Sequence, residues 1–318
     1  MSRESTMQPF EAGDILIGCT LLNDPDDDHA GDGRIVQYDR DLQPKGELWT
    51  DGGRHLVGGL EFDRNGLLWA FNDHAVIHVD PQTGRQLPLA DFPPRRFYST
   101  GFAADGSVYL GEHSNAKEPP QGIEQYTTIK MLLTPDTGVL GYGNIYKFNA
   151  DWELDAEFDV ENEPEFLGFK GVTHMSLHPS DRFVSYTTET TSRILRYDVI
   201  DDRQMPDLFT CPGEGFPKGN YVAALNYLPD GRLLATQGAS MIVLDEAGEV
   251  LREYPLEGSG WSHIEPCSDG RHAFLSNIWL GTVIKLHLES GEIVATLDTG
   301  FKAPNRCLAG LAEYPGKV

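Results

Sequence analysis

Long apolar runs are missing from this sequence. No stretch of 18 apolar residues occurs, so no membrane-spanning helix is expected. The segment MSRESTMQPFEAGD at the N-terminus has no apolar core of the kind a secretory signal needs, and a cytoplasmic location is expected. Cysteine is scarce: Cys19, Cys211, Cys267 and Cys307 make no CxxC pair and no dense disulfide pattern, which suits a reducing compartment. Basic residues are few as well, with 25 Lys and Arg against 49 Asp and Glu and a net charge of −24. A surface this acidic repels nucleic acid and anionic lipid, and neither is expected as a partner. No HExxH, GxSxG, Walker loop, GxGxxG or nucleophilic-cysteine context is present, so any chemistry must be assembled by the fold.

What the chain does have is repetition. Five segments read as apolar strand, tight turn, apolar strand: GGLEFDRNGLLWAFN from Gly58, STGFAADGSVYLGE from Ser99, THMSLHPSDRFVSYTTE from Thr173, AALNYLPDGRLLATQ from Ala223 and SHIEPCSDGRHAFLSN from Ser262. Each is followed by a second hairpin of the same kind, and 34 Gly and 20 Pro supply the turns. The turn residues Asn65, Asp105, Asp181, Asp230 and Asp269 recur about every 40 to 50 residues, with one longer gap between Asp105 and Asp181. Four strands per unit at this period predict an all-β, six-bladed β-propeller spanning residues 1–318 as a single domain, with seven blades as the alternative. DILIGCTLL and the hairpin from Gly33, with CLAGLAEYPG from Cys307, make the sixth blade. The ring is then closed by strands from both termini, which removes an open sheet edge, and Cys19 and Cys307 fall in one blade. The long gap holds a lid-like insertion at 114–143, either a cover for the channel with Tyr126, Met131, Leu132 and Leu133 as its wall, or a packing loop.

With its PDG turns, the chain resembles the six-bladed group of regucalcin, gluconolactonase and luciferin-regenerating enzyme, with NHL and YVTN propellers as further relatives. That resemblance implies a lactonase-like hydrolase using one divalent metal. The group's EGP motif is absent, however, and Thr173, Ala223 and Ser262 stand where its SNG asparagines would fall, so its ligand residues do not carry over. Glu112 in DGSVYLGE, and nearly Glu189 in YTTE, are similar to the WFTE end of virginiamycin B lyase repeats, which use His and Glu at a metal.

In a propeller, chemistry is expected at the mouth built from residues before each first strand and after each second strand. Second strands end in Asn72, Glu112, Glu189, Gln237 and Asn277, with Asp73 and His113 adjacent; first strands begin near His55, Tyr98, His174, Tyr221 and His263. Glu112, His113, His174, Glu189, His263, His55 and Asn277 are the expected donors for a divalent ion such as Ca, Mg, Zn, Mn or Fe. His174, His263, His113, Glu112 and Tyr221 are the expected catalytic groups; polar strand ends of this kind also serve as turn and channel hydrogen-bonding groups. His78, His178, His272 and His287 read as structural. Loops into the first strands carry Arg54, Arg95, Arg96, Lys170, Lys218, Lys302 and Arg306. From these loops Arg54, Arg96, Lys170, Lys218 and Arg306, together with Tyr98, Tyr126 and Trp279, are the expected contacts for a small, anionic or aromatic substrate. The acidic run from Asp24 to Gly33 places Asp24, Asp26 and Asp28 at EF-hand ligand positions, but His29 and Ile35 replace the required Gly and Glu. The expected activity is hydrolysis of a lactone or ester by a monomer or homodimer. The alternatives are a lyase or isomerase using the same site, and a non-catalytic propeller that binds protein or ligand.

Overall fold

A computed structural model describes residues 3–23, 31–53, 56–72, 74–93, 95–115, 143–161, 169–188, 191–213 and 220–316. In chain order the strands are β1 (Ile15–Leu22), β2 (Gly31–Tyr38), β3 (Pro44–Trp49), β4 (Val57–Phe62), β5 (Leu68–Asn72), β6 (Ala75–Asp80) and β7 (Arg85–Gln86). Next come β8 (Phe97–Phe102), β9 (Val108–Asn115), β10 (Ile145–Phe148), β11 (Leu154–Phe158) and β12 (Phe169–Gly171). They are followed by β13 (His174–Leu177), β14 (Phe183–Thr187), β15 (Arg193–Asp198) and β16 (Arg203–Thr210), then β17 (Val222–Tyr227), β18 (Leu233–Gln237), β19 (Ser240–Leu244) and β20 (Val250–Pro255). The last are β21 (Trp261–Pro266), β22 (His272–Asn277), β23 (Thr282–His287), β24 (Ile293–Asp298) and β25 (Arg306–Glu313). They form six antiparallel sheets, and the fold is an all-β, six-bladed propeller. No helix is long and apolar enough to cross a membrane among the described residues.

Two compact units can be distinguished, Met1–Arg96 with Glu265–Val318, and Phe97–Ile264. In the first, the sheet order β25-β1-β2-β3 confirms closure by both termini. β1 explains why its sequence, ILIGC, is apolar without alternation: Leu16 packs with Leu68, Ala70 and Ile77, while Ile15 and Ile17 pack with Phe274, Val283 and Leu308. A blade strand buried on both faces needs a continuous apolar run. The second unit repeats the device in β15, where Leu195 lies with Val172, Met175 and Tyr186, and Ile194 with Val222, Leu225 and Leu233. All four cysteines are buried and free, so Cys19 and Cys307 share a blade without a bridge.

The expected turn residues Asp105, Asp230 and Asp269 each accept, through Oδ1, the backbone N–H of the residue two positions on. The Oδ1 atoms of Asp39, Asp63, Asn149 and Asp245 each accept backbone N–H bonds from the residues two and four positions on. The residue three positions on is then left-handed, and it is Gly66 or Gly248 in two turns but Leu42 or Trp152 in the others.

One sheet departs from four strands. β9 runs on to Asn115 and pairs with β12, through His113↔Gly171 and Ser114↔Lys170, to give a five-stranded sheet. The first residues of the expected insertion, 114 and 115, are therefore strand, and Gly143 at its end is described; 116–142 lie outside the described residues. Gly111 permits this packing, because a Cβ there would come within 2.6 Å of both Ser99 Oγ and Val172 Cγ1. Gly111→Ala is expected to destabilise the protein by about 1–3 kcal/mol, read as a lower urea midpoint; an unchanged midpoint would show that this contact gives way freely.

Candidate active site

The site is built in the second unit from the ends of four strands. β8 and β9 are paired Phe97↔Glu112 and then Ser99↔Gly111, so the register slips by one residue and Tyr98 is the extra, bulged residue. A bulge re-aims the side chain it carries. The Tyr98 ring lies 5.7 Å from the His113 ring, 5.8 Å from His174 and 6.4 Å from His263. His174, at the start of β13, meets His263 of β21 edge-on, with centroids 4.8 Å apart and planes at 76°. Three imidazoles and a phenol thus come together from strands of three blades.

The residue before each of the two first-strand histidines supports a ring. Thr173 Oγ1 lies 3.0 Å from His113 Nδ1, and Ser262 Oγ lies 3.2 Å from His263 Nδ1. His263 is 7% exposed, and its Nε2 is buried with no hydrogen-bond partner. Burial pushes the His174 imidazole down from its ordinary value to about 4. Burial likewise holds His263 well below its ordinary value, and the neighbouring His174 pushes it in the same direction. Both rings are neutral at pH 7, and a proton on one opposes a proton on the other.

Glu112 does not join this cluster. Adjacent residues of a strand face opposite ways, and where His113 turns to Tyr98, the buried Glu112 Oε2 accepts from Gly143 N–H at 3.0 Å and Tyr146 O–H at 2.9 Å. Its carboxylate ties the 143–146 segment to β9, so the expected Glu112–His113 donor pair is divided between two faces. Asn277, in the first unit, has its Oδ1 committed to the N–H groups of Trp279 and Leu280, the turn role open to polar strand ends. Asn72 donates to Thr50 Oγ1.

The remaining expected residues are placed individually. Tyr221 is half-buried and its carbonyl accepts from Gly238 N–H. Arg96 is buried. Arg306 lies over the Phe301 ring at 4.8 Å, Trp279 is 38% exposed, and Lys170 belongs to β12. Arg54, His55, Asp73, Tyr126, Glu189 and Lys218 lie outside the described residues, as do 24–30 of the acidic run. Among the described residues no group of three or more His, Cys, Asp or Glu is placed to hold a metal ion. Of the four structural histidines, His78 packs edge-on to Trp69 and Phe92, and His178 is bonded to Ser180. Thr173, Ser262 and Tyr146 were not singled out as site residues; the first two carry a signal after all, a hydroxyl directly before a first-strand histidine.

No protein-family model matches the chain, and no curated protein matches it by sequence. Likeness is found among solved structures. One is a chain in a crystal structure of a nidogen/laminin complex, with a TM-score of 0.62, 11% identity, and coverage of 96% of this chain and 100% of that one. A second is a streptogramin B lyase structure, at 0.50 and 16% identity over 91% of this chain and 75% of that one. A third is a structure of U3-55K, at 0.51 and 13% identity over 77% and 65%. At these identities the likeness is one of propeller fold, and the expected kinship with the regucalcin and gluconolactonase group has no family-level support.

The buried rings set a pH dependence. An imidazole whose folded pKa lies below its unfolded value near 6.5 takes up protons more readily in the unfolded chain. Its contribution is whole above about pH 6.5 and is lost as pH falls toward 4. Relative to a protein with both rings replaced, the unfolding temperature is therefore expected to drop by several degrees over that interval, against the opposite contribution of Glu61, whose carboxyl burial raises to about 7. His174→Gln with His263→Gln should flatten the drop, leaving the parts due to His78, which burial also lowers to about 4, and to His178, which burial lowers as well. A pH profile identical to that of the unsubstituted protein would contradict the neutral pair.

Proposed function

We propose that the protein is an enzyme that moves protons on a small organic substrate at the Tyr98–His113–His174–His263 cluster. The observation that carries this is the buried His263 Nε2, without a partner and edge-on to a second neutral imidazole. A neutral imidazole accepts a proton through Nε2 when Nδ1 carries the hydrogen, and Ser262 Oγ is in place to accept from Nδ1–H. With His263 as base, a proton leaves a carbon next to a carbonyl and the electron pair passes to the carbonyl oxygen as an enolate. The pair then returns to form a double bond as a leaving group departs from the next carbon, taking a proton from the Tyr98 hydroxyl, and the proton held by His263 then restores the phenol. Because His174 and His263 oppose double protonation, one proton at a time is held by the pair.

A lyase reading of this kind is in line with the streptogramin B lyase neighbour, which has the same fold. Hydrolysis of a lactone or ester would use the same base to activate water, and an anionic substrate would be favoured by imidazolium formation on binding. Of the donors for the divalent metal that the resemblance to gluconolactonase and virginiamycin B lyase implies, Glu112 faces away, His55 and Glu189 lie outside the described residues, and no group of three is assembled among the described ones. No step is routed through it. A protein-binding role is the second reading, favoured by the neighbour seen in a nidogen/laminin complex.

The readings separate on a panel of β-elimination substrates, lactones and esters. An enzyme of the proposed kind turns over at least one class, and His263→Gln and His174→Gln each lower kcat by about 10²–10⁴-fold. Turnover of elimination substrates without solvent oxygen in the product selects the lyase, and incorporation of solvent oxygen selects hydrolysis. Turnover unaffected by either substitution overturns the proposal, and so does a protein partner whose affinity alone responds to surface changes, with no substrate turned over.

A further inference from the structure

At the other end of β22 from Asn277, two histidines read from sequence as structural are arranged as a ligand pair. His272 opens β22 and His287 closes β23, and the two are direct partners in the ladder. Their rings are 5.0 Å apart, with planes at 76°. With Zn–N distances of about 2.0–2.1 Å and a tetrahedral angle, two imidazoles on one ion have centroids about 5 Å apart. The spacing in the protein already meets that requirement.

Each ring is held through Nδ1. His272 Nδ1 lies 2.6 Å from Asp269 Oδ2, and Asp269 is itself fixed by backbone N–H bonds from Arg271 and His272. A carboxylate on the far nitrogen is how metal-ligating histidines are commonly oriented, with the proton kept on Nδ1 and the lone pair on Nε2. His287 Nδ1 accepts from Ser290 N–H at 3.2 Å and lies 3.2 Å from Ser290 Oγ, so its hydrogen rests on Nε2, and ligation through Nε2 moves that hydrogen to Nδ1, where Ser290 Oγ accepts it. In His272 Nε2 is left for an outside ligand, and its side chain is 17% exposed. Asp269, Glu289 and Glu292 stand in the two turns that carry the pair, on a chain of net charge −24, so the local field favours a cation.

We propose that His272 and His287 form a two-imidazole clamp for a borderline transition-metal dication, of which Zn²⁺ and Ni²⁺ are the probes. Neutral imidazole suits these ions and does not suit Mg²⁺ or Ca²⁺, which require oxygen ligands. No third His, Cys, Asp or Glu joins the pair in a ligand group among the described residues, so water completes the coordination. This site shares no residue with the Tyr98–His263 cluster, and its fate is independent of the proposed reaction.

Calorimetric titration of the full chain with ZnCl₂ and with NiCl₂ tests it, with MgCl₂ and CaCl₂ as controls. One equivalent of Zn²⁺ or Ni²⁺ should bind, and no Mg²⁺ or Ca²⁺. His272→Gln and His287→Gln should each weaken binding at least tenfold, and Asp269→Asn by about 10–100-fold through orientation alone. Circular dichroism of each variant shows that it is folded, and His287→Asn gives a second, smaller replacement should His287→Gln unfold. Absence of Zn²⁺ and Ni²⁺ binding by the unsubstituted protein overturns the proposal. Binding that persists in both histidine variants and is lost in His174→Gln with His263→Gln also overturns it, by placing the metal at the other imidazoles.

Discussion

The antiparallel ladder between β1 and β25 joins the two ends of the chain, from Ile15↔Glu313 to Leu21↔Arg306, and the sixth blade exists only because of it. Blade strands bury both faces, so each needs neighbours on either side: Leu16 of β1 finds them in β5 and β6, Ile15 and Ile17 in β22 and β23. Without the C-terminal strand, β1 would present an unpaired apolar edge. The near-continuous apolar runs in the sequence are the cost of that arrangement, and the turns, capped by Asp and Asn oxygens, are where polarity returns.

The ring cluster follows from the same packing. Strand ends that belong to different blades deliver Tyr98, His113, His174 and His263 to one place, and there the rings shield one another from water. Shielding removes the hydration that would stabilise imidazolium, so His174 and His263 are held neutral. Buried bases without a partner weaken a fold, and strain of this sort gathers where chemistry is done.

Much of this was legible in the residues. The blade count, the closure by both termini and the convergence of Tyr98, His113, His174 and His263 follow from the repeat, since equivalent positions of a repeat occupy equivalent places. Glu112 shows a reading that strand alternation itself limits: standing beside His113 in sequence, it faces the other side and bonds Tyr146, a partner seen only once β9 and β10 are paired. Asn277 and its turn were one of two open readings. His272 and His287 looked inert because their pairing depends on the register of β22 against β23, which hydrophobic pattern does not reveal.

By itself the sequence determined the architecture, because period, turn chemistry and two-sided burial are local properties repeated along the chain. It also determined which residue types reach the strand ends. Tertiary structure alone decided their direction: a one-residue bulge aims Tyr98 into the rings, alternation turns Glu112 out of them, and burial sets the protonation of His174 and His263. Register slips and desolvation arise from contacts between distant segments, and for that reason no local pattern carries them.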